Sequence, residues 1–120
     1  MAKKILLVED DFDTRYVLSL LLKTEGYDVV TAADGECALA VAAEQRPDLI
    51  ITDISMPRLN GIELTKRIRL KEDMARMPIL AITAYGALTM RNAIDAGASA
   101  CARKPLVYTE FIPIVKDLLA

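Results

Sequence analysis

Leu49-Ile50-Ile51-Thr52-Asp53-Ile54-Ser55-Met56-Pro57 is the stretch on which the fold of this chain turns. It opens as an apolar, β-branched run bounded by Pro47-Asp48, the pattern of a strand buried on both faces. The run then delivers a carboxylate, Asp53, four residues before Pro57. An unpaired buried carboxylate costs several kcal/mol, so either Asp53 is an ordinary turn acid after a strand or something balances it.

Outward from this strand, the flanking segments repeat its design. Upstream, Ile5 to Val8 is a short apolar run that ends in Glu9-Asp10-Asp11. Asp13 or Thr14 is placed to cap a helix in which Val17, Leu18, Leu21 and Leu22 recur at helical spacing and face the sheet. Gly26 closes that helix, and Tyr27 to Thr31 follows as a strand whose Asp28 suits an edge. Asp34-Gly35 marks a turn into a helix of small residues (Cys37, Ala38, Leu39, Ala42, Ala43) that stops before Pro47.

Downstream, Asn60-Gly61 signals a turn before a helix carrying Ile62, Leu64, Ile68 and Leu70, whose other face, Lys66, Arg67, Arg69 and Lys71, reads as solvated. A polar loop leads to Pro78 and a fourth buried strand, Ile79 to Ile82, ending in Thr83. A helix from about Leu88 to Ala96 is the least apolar, and Ala100 to Ala102 is a small-residue strand ending at Arg103-Lys104-Pro105. The last helix carries Phe111, Val115, Leu118 and Leu119; with Thr109 as its cap, Pro113 falls in the tolerant first turn.

Five alternations of strand and helix predict an α/β fold. The expected architecture is a doubly wound (βα)5 parallel five-stranded sheet in the order 2-1-3-4-5, with residues 1–120 as one domain. In that order the topological switch lies between the first and third strands, where ligands bind at carboxyl ends. Those are the strands that end in Glu9-Asp10 and in Asp53.

Composition narrows the function. The chain is 53% hydrophobic and 27% charged with a net charge of −2, so no basic footprint points to nucleic acid or an anionic membrane. No apolar run approaches the ~18 residues of a membrane span, and because Met1-Ala2-Lys3-Lys4 runs straight into the first strand, no signal peptide and a cytoplasmic location are expected. Cys37 and Cys101 have no paired spacing and read as buried, reduced thiols. The absence of His removes Ser-His triads and His-ligated zinc.

Three carboxylates, Glu9, Asp10 and Asp53, therefore converge on one crevice. Charges about 4 Å apart repel by roughly 4 kcal/mol at an effective dielectric near 20, so the site requires a cation. Oxygen-only ligands select a hard ion, Mg²⁺, with Mn²⁺ as a substitute. Strands four and five bring the Thr83 hydroxyl and the Lys104 ammonium to the same edge. A metal, a lysine and a hydroxyl around one carboxylate is equipment for phosphoryl transfer, with Asp53 as the in-line nucleophile. Each residue alone has an ordinary explanation as a cap, strand end or surface lysine; their joint arrival at one edge does not.

In these motifs the chain resembles the receiver domain of two-component response regulators, the family typified by the chemotaxis response regulator. The resemblance covers nearly all 120 residues: Glu9-Asp10, Asp53 with Met56-Pro57 and Gly61, Thr83-Ala84, and Lys104-Pro105. It implies that Asp53 accepts a phosphoryl group from the phosphohistidine of a sensor histidine kinase or histidine phosphotransfer protein. It implies also that Asp10, Asp53 and the Ser55 backbone carbonyl hold Mg²⁺, with Glu9 acting through water. Thr83 and Lys104 would bind the phosphoryl oxygens, and the Lys104-Pro105 bond would be cis. The output would be binding to a downstream protein target through the face of the last two helices.

One position departs from the pattern: Cys101 stands where the family usually has Tyr or Phe, three residues before the lysine. In the family that ring moves into space vacated by the threonine. Here Thr83 is expected to move without it, with Tyr85 as a substitute mobile aromatic. A different class of function, a phosphorylation-independent interaction module of the same fold, remains as the alternative. A flavin-binding domain would need a small-residue phosphate loop where Glu9-Asp10-Asp11 stand, and an aspartyl phosphatase would want an acid at Ser55. A Gly-x-x-x-x-Gly-Lys loop is also missing. Met1 followed at once by a strand favours a free-standing regulator over a piece of a larger kinase.

Overall fold

A computed structural model describes residues 2–120. Five strands, β1 (Lys4–Val8), β2 (Asp28–Ala32), β3 (Leu49–Asp53), β4 (Ile79–Thr83) and β5 (Ala100–Arg103), form one parallel sheet in the order 2-1-3-4-5. Five helices alternate with them: α1 (Phe12–Thr24), α2 (Gly35–Gln45), α3 (Gly61–Leu70), α4 (Ala87–Asp95) and α5 (Tyr108–Leu119). The expected class and strand order are those found. Every residue of β3 and β4 is buried, whereas β2 is only partly covered and exposes Asp28 and Thr31, as an edge strand does.

The period of two splits the core into two layers. Leu6, Val8, Ile50, Ile79 and Ala81 point to one face, under Ala38 and Ala42 of α2, Leu64 and Ile68 of α3 and Ala93 of α4. Ile5, Leu7, Ile51, Leu80 and Ile82 point to the other, under Leu18 and Leu22 of α1 and Phe111, Val115 and Leu119 of α5. A fully buried side chain of this kind contributes about 1.5–3 kcal/mol. Register does the rest: Val8 pairs with Thr52, Asp53 with Ile82 and Thr83 with Arg103. Glu9, Asp53, Thr83 and Lys104 therefore emerge within a rung or two of one another.

Local chemistry corrects several expectations. Asp11, not Asp13 or Thr14, caps α1; its carboxylate accepts from the Thr14 N–H at 2.9 Å and from its hydroxyl at 2.6 Å. Starting there, α1 turns Leu18, Ser19 and Leu22 inward and leaves Val17 exposed. The second strand begins at Asp28 rather than Tyr27 and runs on to Ala32, and α4 begins at Ala87. Leu70 is exposed at the end of α3, and Cys37 is exposed while Cys101 is half-buried. Arg69 does not simply face water: its Nε donates to the Gly97 carbonyl at 2.9 Å. Within the polar loop a short 3-10 turn, Glu72–Met74, buries Met74.

The last helix differs most. It is capped at Val107, whose carbonyl accepts from Glu110 and Phe111, so Pro113 lies inside the helix and not in its first turn. Pro113 withholds the N–H that would reach the Thr109 carbonyl. Both residues are exposed, so water can serve that carbonyl, while Phe111, Ile112, Val115 and Leu119 are buried at helical spacing.

Candidate functional site

The switch-point crevice is built from strand ends. β1 runs directly into Glu9, whose backbone N–H donates to the Ala32 carbonyl and whose carbonyl accepts from Arg15 Nη1 at 2.8 Å. This ties the acid to β2 and α1. Glu9 is buried, and its carboxylate is shared: Oε2 accepts from the Asp11 N–H at 3.2 Å, and Oε1 lies 3.3 Å from Lys104 Nζ. Asp53, also buried, places Oδ2 3.3 Å from the same ammonium. Asp10 is exposed beside them, and Glu9, Asp10 and Asp53 each offer a carboxylate oxygen within 4.8 Å of the others.

The charges show what the site can hold. Burial pushes the Glu9 carboxyl above its ordinary value; the Asp11 N–H and Lys104 pull it down, and the Asp53 charge pushes it further up. Burial by itself would lower the Lys104 ammonium, but the charges of Asp53 and Glu9 and their hydrogen bonds hold it above the usual lysine range. One ammonium faces three carboxylates, so negative charge is left over. An all-oxygen donor set with uncompensated charge fits a hard divalent cation such as Mg²⁺.

The loop after Asp53 is held by a glycine. A Cβ on Gly61 would fall 2.3 Å from the Asp53 carbonyl oxygen and 2.9 Å from the Ile54 Cα. The Gly61 N–H closes the loop by donating to the Ile54 carbonyl at 3.0 Å. Ser55, within this loop and two residues past Asp53, is exposed, and Arg58 takes a left-handed φ of 64°. Sequence reading saw Gly61 as a turn residue and a motif position but not its close approach to Asp53, which exists only after folding.

Thr83 is buried at the end of β4, and its carbonyl accepts from the Lys104 N–H at 2.7 Å. Its hydroxyl oxygen accepts from the Tyr85 N–H at 2.9 Å, a contact the sequence did not reveal. Tyr85 itself is exposed and borders a cleft of about 490 Å³ with Met56, Asn60 and Thr89. The Lys104-Pro105 bond is cis. Cys101 packs against the layer containing Ile54, Met56, Ala81 and Ala93, and burial raises its thiol. Glu9, Asp10, Asp53 and Lys104 meet at the crevice, and the unexpected feature is that Lys104 bridges Glu9 as well as Asp53.

Sheet order, crevice and chain-wide match together define a class: the chain belongs to the family described as response regulator receiver domain, which it matches over residues 5–116. Among individual relatives, it is 36% identical over 120 residues to sporulation initiation phosphotransferase F of Bacillus subtilis, covering 99% of this chain and 95% of that protein. The polar-differentiation response regulator DivK of Brucella anthropi is 32% identical, with 99% and 98% covered. Against response regulator MprA of Mycobacterium bovis identity is 38%, but the match is 51% of that protein, so the chain spans about half the length of such relatives.

Solved structures agree on the fold. The chemotaxis protein CheY4 of Vibrio cholerae superposes with a TM-score of 0.93 at 32% identity, covering 99% of this chain and all, 100%, of that one. The receiver domain of sensor histidine kinase PA1611 from Pseudomonas aeruginosa gives 0.91 at 35% identity, with 99% and 98% covered, and holds a magnesium ion in its active-site cleft. No helix among the described residues is long and apolar enough to cross a membrane.

Proposed function

We propose that this chain is a phosphorylation-dependent signalling switch, acting in the cytoplasm, in which residues 1–120 form one receiver unit and Asp53 is the phosphoacceptor. The observation that carries the reading is Asp53 itself: a buried carboxylate at a switch-point edge, 3.3 Å from Lys104 and flanked by Glu9 and Asp10. Asp10 and Asp53, with the Ser55 carbonyl, would hold Mg²⁺ (or Mn²⁺), and Glu9 would act through water. When bound, the ion supplies positive charge for the equatorial phosphoryl oxygens.

An Asp53 carboxylate oxygen attacks phosphorus in line while the P–N bond to the donor imidazole breaks, and the neutral imidazole leaves with its proton. The donor is a sensor histidine kinase or histidine phosphotransfer protein, since this chain has no His. Lys104 Nζ moves its attraction from two carboxylates to the acyl phosphate, and the Thr83 hydroxyl donates to a phosphoryl oxygen. A cleft of about 660 Å³ beside Lys104, walled by Val17, Leu18, Pro105 and Leu106, gives the donor an apolar seat. The change in conformation alters binding to a downstream protein.

Incubation with Mg²⁺ and acetyl phosphate, read by intact mass, tests this. One phosphoryl group is expected on the wild type and none on Asp53→Asn. Failure to phosphorylate Asp53 would leave the interaction module as the better reading.

A further inference from the structure

Arg15, in the first half of α1, is half-buried and has no part in the chemistry proposed above. Its Nη1 donates to the Glu9 carbonyl at 2.8 Å. That carbonyl belongs to the peptide joining Glu9 to Asp10, two of the three converging acids. Val8 is the last residue of β1 in either of its ladders, so the Glu9–Asp10 peptide lies just beyond the sheet. Two bonds hold the Glu9 backbone there: its N–H donates to the Ala32 carbonyl at 3.1 Å, and its carbonyl takes the charge-assisted bond from Arg15. The guanidinium is held in turn. It lies over the Phe12 ring, 5.5 Å from the centroid, and that ring stacks on Tyr16 with centroids 6.5 Å apart and planes within 10°. Phe12 and Tyr16 are 67% and 63% exposed and lie outside the core, so the stack beneath Arg15 gives them a role that burial does not.

Given the metal site read above, we propose that Arg15 is a positioning residue for it: from α1 it fixes the Glu9–Asp10 peptide, and the Phe12–Tyr16 stack is the platform that holds its guanidinium. Turning one peptide redirects the side chains on both sides of it. The acids repel one another whenever the cation is absent, and a freed peptide lets Glu9 and Asp10 swing away from Asp53. Held by Arg15, they stay converged, so the cost of bringing them together is met in folding and not on binding. Groups that orient ligands in this way change metal affinity by about 10–100-fold. The charge of Arg15 acts in the opposite sense, because a guanidinium repels a cation. Loss of the side chain therefore weakens Mg²⁺ binding if Arg15 positions the acids, and tightens it if Arg15 acts by charge alone.

Calorimetric titration with Mg²⁺ gives the test, with denaturation in chelator alongside. Arg15→Met should raise the dissociation constant about tenfold, and Phe12→Leu, which removes the platform and keeps the charge, should raise it by less. Lys23→Met, the same loss of charge on the same helix, should leave it unchanged. Without metal, exchange of the Asp11 N–H, which donates to Glu9 Oε2 at 3.2 Å, should quicken in Arg15→Met. A wild type that takes up no Mg²⁺ removes the metal reading itself and this inference with it. A wild type that binds Mg²⁺ while Arg15→Met binds it as tightly or more so overturns the inference alone, even if that variant is less stable in chelator. Equal weakening in Lys23→Met, or unchanged affinity in Phe12→Leu, overturns it as well.

Discussion

Asp53 and Glu9 are buried acids held by a single shared lysine, and their environment predicts the response to neutralising each. Asp53→Asn removes one of three converging charges without changing shape. It should abolish phosphorylation while leaving the metal-free protein as stable as the wild type or more so, in contrast to the usual cost of about 1 kcal/mol for a point substitution. Chemical denaturation in chelator checks this, and a large loss of stability would contradict the crowding of the acids. For Glu9 the folded carboxyl titrates above its unfolded value. The native state therefore binds more protons than the unfolded one between the two values, and the Glu9 contribution to stability falls as pH rises through that window. Glu9→Gln lacks this titration. In the absence of metal its stability relative to wild type should climb from about pH 4.5 upward and level off once wild-type Glu9 is fully ionised, as a pH series of denaturation curves would reveal.

Among the elements, the β3–α3 loop and the start of α4 set how the site is held and read. Gly61→Ala puts a methyl group where the Asp53 carbonyl already stands. The backbone around Asp53 has to shift, at about 1–3 kcal/mol for overpacking, and both the denaturation midpoint and the rate of phosphorylation should drop. At the other side of the site, α4 has a Gly86 cap without a side-chain hydrogen bond and buries only Ala93. Thr83 holds the preceding loop through the Tyr85 N–H. In the proposed function the Thr83 hydroxyl turns to a phosphoryl oxygen, and that rotation would carry its oxygen off the Tyr85 N–H and free Tyr85 to close into the cleft beside Met56 and Asn60. Because the chain has no Trp, Tyr85→Trp is a unique reporter. Its emission should shift to the blue on adding Mg²⁺ with beryllofluoride, and not in a Thr83→Ala background. Unchanged emission with beryllofluoride bound, as seen by fluorine NMR, would remove Tyr85 from the read-out.

For the whole molecule, metal and fold are linked because the three acids meet only in the native state. Mg²⁺ at a hundred times its dissociation constant should raise the unfolding free energy by about 2.7 kcal/mol. Lys104→Ala should keep this gain, since the lysine is no ligand, while weakening the response to beryllofluoride. A Lys104→Ala variant that loses the Mg²⁺ gain would reverse the roles given to metal and lysine. Sheet order and site were legible before folding because apolar strand runs ending in Glu9, Asp53, Thr83 and Lys104 are properties of consecutive residues. So was the departure at Cys101. What misled were choices made by competing contacts: Asp11 taking the α1 cap from Asp13, Val107 starting α5 so that Pro113 sits inside it, and Val17 turned outward. The sequence by itself determined the strands, their alternation with helices and the acids at their ends, through periodicity and the cost of burying charge. Only the tertiary structure decided that Lys104 bridges Glu9 as well as Asp53, that Gly61 lies against the Asp53 carbonyl and that the Thr83 hydroxyl holds Tyr85. Those contacts join residues far apart in the chain or depend on local backbone geometry, which no spacing rule records.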